Sequence, residues 1–300
     1  MPTPRATIGT DPEFFLMQTT TGKLISSVGR IRGTKHEPFM LENGAGLQKD
    51  NVAVEFSSPI AYDGEDLVSK LKITFNLVNK NIPIRTKIVP LPSAIFDEGE
   101  LKTKEAKEAG CDPDFNAWTL EVNKAPNLLR TNLRSCGAHV HVGRVQDDGN
   151  DFLDDPEGKI LTIKTMDSIH GIISILLDNS PESSERRKLY GKAGCHRPTT
   201  YGIEYRVLSN FWLKSPKLVL LIDSLTQDAL RLIREGKAGD LISSIGEDKI
   251  QTVINKSDEK SARAIVENTI IENLCDESKS LLKECLENIS KYEFEEEWGK

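Results

Sequence analysis

The sequence predicts an α+β domain whose sheet has one oily face and one charged face. Two observations lead there. Residues 1 to about 60 read as strands, whereas from Pro216 onward the pattern is helical to the end. Within strand-like runs, charged or metal-binding side chains stand two residues apart: Asp11-Pro12-Glu13, His139-Val140-His141 and Glu204-Tyr205-Arg206. A strand alternates its faces, so positions i and i+2 point the same way. A further run, Val52-Ala53-Val54-Glu55-Phe56, sets a single carboxylate among apolar neighbours.

The elements follow in order along the chain. Phe14 to Gln18 and Lys23 to Val28 flank Thr19-Thr20-Thr21-Gly22, which predicts a hairpin. Gly44 to Asp50 is a glycine-containing approach to the strand around Glu55. Over residues 65–78, Leu67, Val68, Leu71, Phe75 and Val78 fall on one helical stripe. Pro83 to Pro92 gives a short strand with a proline-marked exit. Cys111-Asp112-Pro113-Asp114-Phe115 reads as a turn leading to Trp118 to Val122. Residues 146–158 form an acidic loop, after which Ile169, Ile172, Ile173, Leu176 and Leu177 mark a helix. Ser183 to Thr200 is rich in Arg, Lys and Gly, and Tyr190 to Arg197 reads as a basic loop. Leu218 to Glu235 closes at Gly236, a helix stop.

Composition narrows the function classes. The 300 residues suffice for one large domain, or a domain with a helical appendage. A net charge of −7 argues against nucleic acid as a partner, yet leaves room for a phosphate pocket built from a few arginines. The opening Met-Pro-Thr-Pro-Arg has no apolar signal core, and apolar runs such as Leu218 to Ile222 are too short to span a bilayer. The expectation is therefore a cytoplasmic protein without a membrane partner. Cys111, Cys136, Cys195, Cys275 and Cys285 are scattered with no CxxC pair, which fits reduced thiols.

Charges on a half-buried face need partners, because burying them unpaired is costly. Divalent metal and phosphate fit an inventory of carboxylates, imidazoles and guanidinium best. Each pair alone also fits a plainer role. His-x-His can be core packing, Glu-x-Arg an exposed sheet face, and Asp-Pro-Glu a solvated edge. Four strands offering such groups together favour a site. The chain has no GxxxxGK[ST] loop, no GxGxxG after a strand, no GxSxG elbow and no HExxH helix. Nucleotide phosphates would then be held by metals and by arginines, with Arg186, Arg187, Arg197 and Arg206 as candidates.

At these residues the chain resembles a family. Ile8-Gly9-Thr10-Asp11-Pro12-Glu13 is similar to the first strand motif of carboxylate–amine ligases related to glutamine synthetase and glutamate–cysteine ligase. Gly137-Ala138-His139-Val140-His141-Val142-Gly143 resembles their G-x-H-x-H segment, and Tyr201-Gly202-Ile203-Glu204-Tyr205-Arg206 their late E-x-R strand. The match is best with phage-encoded COOH–NH2 ligases, or amidoligases, which Gly110 to Trp118 and Tyr190 to Arg197 also resemble. It spans roughly residues 7–213, leaving 214–300 as a helical extension packed on the same domain.

The resemblance implies a curved antiparallel sheet with helices outside, ATP inside, and two or three Mg²⁺ or Mn²⁺ ions bridging its phosphates. Glu204, His139 and one carboxylate of Asp11 and Glu13 would hold one ion; Glu55 and the other carboxylate would hold a second. His141 would lie near nucleotide or substrate. Arg206 and Arg197 would meet the transferring phosphate, with Arg187 beside the nucleotide. Two departures stand out. Asp11 occupies a position where a longer Glu is common, and Glu55 stands where glutamine synthetases supply two carboxylates, leaving Asp50 or water to complete that site. The implied reaction is ATP-dependent amide formation between a small-molecule or peptide acid and an amine, through an acyl phosphate, in a host cytoplasm if the chain is phage-encoded. A metal-dependent hydrolase, a small-molecule kinase and an inactive virion-associated relative stand as alternatives, and an oligomer is compatible with all of them.

Overall fold

A computed structural model describes residues 6–107, 114–146 and 149–299. Among them run thirteen strands: β1 (Thr7–Thr10), β2 (Glu13–Gln18), β3 (Leu24–Ile25), β4 (Phe39–Met40), β5 (Gly46–Asp50), β6 (Ala53–Ser57), β7 (Thr86–Val89), β8 (Ser93–Ile95), β9 (Phe115–Asn116), β10 (Leu133–Ser135), β11 (Val140–Gly143), β12 (Cys195–Pro198) and β13 (Gly202–Tyr205). One set orders β3-β2-β6-β5-β4, with β7 also beside β2; the other orders β1-β11-β13-β12-β9. Every pairing between these strands is antiparallel.

The two sets meet where β1 passes into β2. Asp11-Pro12 interrupts the strand, and proline cannot donate to a ladder. Neighbours on both sides bridge the break. The Ser58 amide donates to the Thr10 carbonyl at 2.8 Å, and the Glu13 amide donates to the Gly137 carbonyl at 2.9 Å. The result is one curled antiparallel surface with β1 and β2 at its centre.

Alternation explains the two faces. Val140, Val142, Ile203 and Tyr205 are fully buried against helices, while His141 and Glu204 between them point to the inner face. Likewise Glu13 pairs with Glu55 and Phe14 with Val54, putting carboxylates inside and aromatic packing outside. Phe14 and Phe56 stack, and Phe75 meets both edge-on.

The helix expected over 65–78 runs Gly64–Asn81, capped by Asp63 accepting from the Asp66 amide, and buries Leu67, Leu71, Phe75 and Val78. The hairpin after Phe14 forms as β2 and β3, with a shorter second strand. Trp118 to Val122 is a turn closing onto β9, bridged by Phe115 and Val122. Two segments differ from expectation. Arg186 and Arg187 lie in a helix, Pro181–Leu189, started by Ser180 accepting from the Ser183 amide, and Arg197 lies on β12 instead of a loop. The glycines that suggested a loop serve close approaches. Gly191 has φ +74°, and a Cβ there would collide with the Arg186 guanidinium.

The helix around Ile169 spans Pro156–Met166 and Ile172–Leu177, joined by a π-helical turn at Asp167–Gly171. The combined stretch is long and apolar enough to cross a membrane, but 83% of its apolar window is buried inside the protein. Beyond residue 213 the helices share the sheet's core: Leu218, Val253, Ile270 and Leu282 belong to one apolar cluster with Ile8, Phe14 and Val140. Phe294 and Trp298 pack on Phe75, closing the outer layer.

The π-turn places Asp167 behind the sheet, fully buried. Its carboxylate accepts from the Trp118 indole at 2.7 Å, the Tyr205 hydroxyl at 2.8 Å and the Gly194 amide at 2.6 Å. Burial pushes its pKa up to about 7, against the three donors. Asp167→Ala should cost roughly 3 kcal/mol or more, because each donor left buried without an acceptor costs about 1–3 kcal/mol. Asp167→Asn, which retains acceptor capacity, should cost less than half as much. Urea denaturation would measure both, and an alanine cost below about 1 kcal/mol would show the hub to be dispensable.

Candidate functional site

A row of side chains crosses the inner face of the second strand set. The register aligns Gly9 of β1 with His141 of β11, His141 with Glu204 of β13, and Glu204 with Arg197 of β12. Gly9 contributes no side chain beside His141, leaving space above the row. Asp11 enters from the break after β1, His139 lies just before β11, and Arg206 follows β13. Gly202 must be glycine for this: its φ is +151° and a Cβ would collide with the Val142 carbonyl.

Glu204 is 3% exposed and is held between two guanidiniums. Arg197 reaches it at 3.0 Å, and Arg206 pairs with its other oxygen. Arg206 also approaches Asp114 at 3.6 Å. Asp11 Oδ1 lies 2.9 Å from His139 Nδ1 and 3.2 Å from His141 Nε2. These contacts are close without hydrogen-bond alignment, and both Asp11 Oδ1 and His141 Nε2 are buried with no hydrogen-bond partner. Asp11, His141 and Glu204 each bring a ligand atom within 4.8 Å of the others. Asp11 Oδ1 and His141 Nε2, buried without hydrogen-bond partners beside the arginine-paired Glu204, fit a divalent cation.

This grouping adds His141 to the expected residues. His141, expected near nucleotide, joins Asp11 and Glu204, because it sits directly across from Glu204. His139, expected as a ligand with Glu204 and Asp11, lies beside both: its Nδ1 is 2.9 Å from Asp11 Oδ1 and 3.3 Å from Glu204 Oε1, with the Arg206 guanidinium 3.4 Å away. Burial, aided by the Arg206 charge, lowers the His139 pKa. Burial is the largest influence on His141 and lowers its pKa, but Asp11 and the Glu204 charge together outweigh it and the net shift is upward. Asp11 is held well below the usual carboxylate range, since the two imidazoles overcome its burial.

A second acidic group adjoins the first. Glu13 and Glu55 face each other across β2 and β6, and Asp50 ends neighbouring β5. The Gly137 amide donates to Glu13 at 2.7 Å, and Gln48 donates to Glu55 at 2.7 Å. Burial first, then the Asp50 charge, pushes Glu13 up to about 8. Burial, with the charges of Asp11 and Asp50, raises Glu55 well above its ordinary value. Clustered carboxylates that retain protons fit a second cation, which would replace those protons.

Two arginines named from the sequence are directed elsewhere. Arg186 donates to the carbonyls of Cys136, Val207 and Leu208 at 2.8–2.9 Å, tying its helix to the strand ends. Arg187, expected beside the nucleotide, donates to the Ser257 hydroxyl at 3.0 Å, in the helical layer. Their residue type suggested phosphate, but burial on a helix gives them carbonyl and hydroxyl partners. Sequence reasoning assigned no role to Tyr201, Asp114 or Asp167. Tyr201 and Asp114 stand inside the motif segments, whereas nothing local marks Asp167. Of the turn motif, Gly110 to Pro113 lies outside the described residues.

No family model matches the chain, and no curated protein matches it. Among solved structures it is similar to a bifunctional glutathione synthetase from Pasteurella multocida, with TM-score 0.46 and 12% identity, over 96% of this chain and 52% of that one. The chain thus spans about half the length of that structure, and a likeness at this level carries no argument about chemistry.

The acidic pair generates a pH prediction. Glu13 holds a proton up to about pH 8 when folded, against an ordinary 4.5, so the folded state binds protons that the unfolded state releases. Stability from this group is complete below about 4.5 and lost as pH rises through about 8. Asp167 adds the same sign up to about 7. In chelator, the melting temperature should therefore fall as pH rises from 5 to 8. Mg²⁺ or Mn²⁺ should flatten that fall, and Glu13→Gln should leave a smaller decline carried by Glu55 and Asp167. A melting temperature that rises over this range in chelator, or one indifferent to added metal, would contradict the acidic-pair assignment.

Proposed function

We propose that this chain is an ATP-dependent carboxylate–amine ligase. One observation carries the reading: two ligand sets, Asp11 with His141 and Glu204, and Glu13 with Glu55, adjoin on one sheet face beside Arg197 and Arg206. Nucleotide triphosphate is the substrate class that calls for adjacent cation sites with guanidiniums next to them. The motif order along the chain supports the same reading.

In this proposal Asp11, His141 and Glu204 hold one divalent cation, and Glu13 and Glu55, aided by Asp50, hold another. Bound cations neutralise phosphate charge and align the triphosphate. Arg197 and Arg206 stabilise the charge that develops on the transferring phosphoryl group. Glu204 fixes both guanidiniums before substrate arrives, so little reorganisation is left for the reaction. A carboxylate acylates poorly, and phosphorylation by ATP activates it for attack by an amine, with release of phosphate. The chain needs no nucleophile of its own for this route. The buried cysteines fit that: burial pushes Cys195 up to about 12 and raises Cys136 well above its ordinary value.

The test is a screen of acid and amine pairs with Mg²⁺-ATP. Turnover should give ADP, phosphate and amide in equal amounts and should require both partners. Hydroxylamine should trap an acyl phosphate when the acid is present alone. AMP with pyrophosphate would refute the route, and product without ATP would point to a hydrolase. On a confirmed pair, Glu204→Gln should weaken metal-dependent ATP binding and rate together. Arg206→Lys keeps the charge but loses the planar fork. Its cost should fall mainly on kcat, at roughly 2–4 kcal/mol. Near-normal activity in both variants would sink the assignment of this strand.

A further inference from the structure

His141 has two ring nitrogens, and the reading above uses one. The other, Nδ1, lies 2.6 Å from the hydroxyl of Tyr201, and the two rings stack at 19° with centroids 6.1 Å apart. Tyr201 sits in the turn between β12 and β13, where its carbonyl accepts from the Arg144 amide at 2.8 Å. That bond ties the turn to the chain just after β11, so the phenol is held over the imidazole by backbone on both sides. Tyr201 is 44% exposed, at the rim of a buried cluster.

The hydrogen bond has two possible directions, with opposite consequences. If the hydroxyl donates, the neutral imidazole carries its proton on Nε2, pointed into the cluster. That proton would have no aligned acceptor: Asp11 Oδ1 is 3.2 Å from Nε2, but the contact lacks hydrogen-bond geometry. If Nδ1–H donates to the phenol oxygen, Nε2 presents a lone pair toward Asp11 and Glu204. In that direction both ring nitrogens of His141 are used once a cation is present.

We propose that Tyr201 is a positioning residue that accepts the Nδ1 proton of His141 and so aims the Nε2 lone pair at a divalent cation shared with Asp11 and Glu204. The inference rests on the cation reading of that cluster. A ligand histidine fixed through its second nitrogen is a general requirement of cation sites, and losing that partner commonly weakens binding about 10–100-fold.

Tyr201→Phe keeps the ring and the stacking while removing only the oxygen. Two measurements decide. The first is the ¹⁵N spectrum of imidazole-labelled, metal-free protein at a pH above the ring's titration. Wild type should show His141 protonated on Nδ1, and Tyr201→Phe should shift it toward the Nε2-protonated form. The second is Mn²⁺ affinity without nucleotide, followed by the spin-resonance signal of free Mn²⁺. It should weaken about 10-fold in Tyr201→Phe, with the melting temperature in chelator unchanged. An unchanged tautomer or an unchanged Mn²⁺ affinity in the variant overturns the role of Tyr201 and leaves the cation site standing. Wild type that binds no Mn²⁺ overturns the cation reading itself, and this proposal with it.

Discussion

Buried carboxylates that face one another across antiparallel strands cannot all be ionised without a counter-charge, and the site is organised around that constraint. Glu13 and Glu55 are opposed in register, with Asp50 and Asp11 close enough to raise both electrostatically. Two answers appear on the same sheet. Around Glu204 the counter-charge is built into the chain as Arg197 and Arg206. Around Glu13 and Glu55 it is not, and protons take its place. A region that supplies its own cations beside one that lacks them suits a ligand bringing both metal and phosphate.

The outer face makes this affordable. Tyr205 lies between Glu204 and Arg206 in sequence, yet its side chain turns the other way and donates to Asp167. The same carboxylate holds Gly194, at the entry to the strand of Arg197, and Trp118, in the segment after Asp114. One buried acid behind the sheet therefore fixes three segments that line its front. The C-terminal helices add the apolar cover this arrangement needs, so that the inner face can remain polar.

Much of the strand framework was legible because it depends on period two. The alternation in Asp11-Pro12-Glu13, His139-Val140-His141 and Glu204-Tyr205-Arg206 gave a shared face, and register put those residues together. The helix over Gly64–Asn81 was legible from its stripe, and the stop at Gly236, φ +70°, from its glycine. The arginines were less legible. Arg186, Arg187 and Arg197 look alike in a basic segment, but only Arg197 falls on a strand facing Glu204.

By itself the sequence determined which side chains share a face, since that follows from local backbone geometry and hydrophobic alternation. It also determined the chemical inventory: carboxylates, imidazoles and guanidinium with no nucleophile motif. Tertiary structure alone decided which of them meet. His141 joins His139 beside Asp11 and Glu204, because cross-strand register is set by long-range pairing. Tyr201 reaches His141 because a turn 60 residues away in the chain folds over β11. Asp167 becomes a hub because a π-turn redirects one carboxylate into the sheet's back, and nothing in its neighbours' identities announces that.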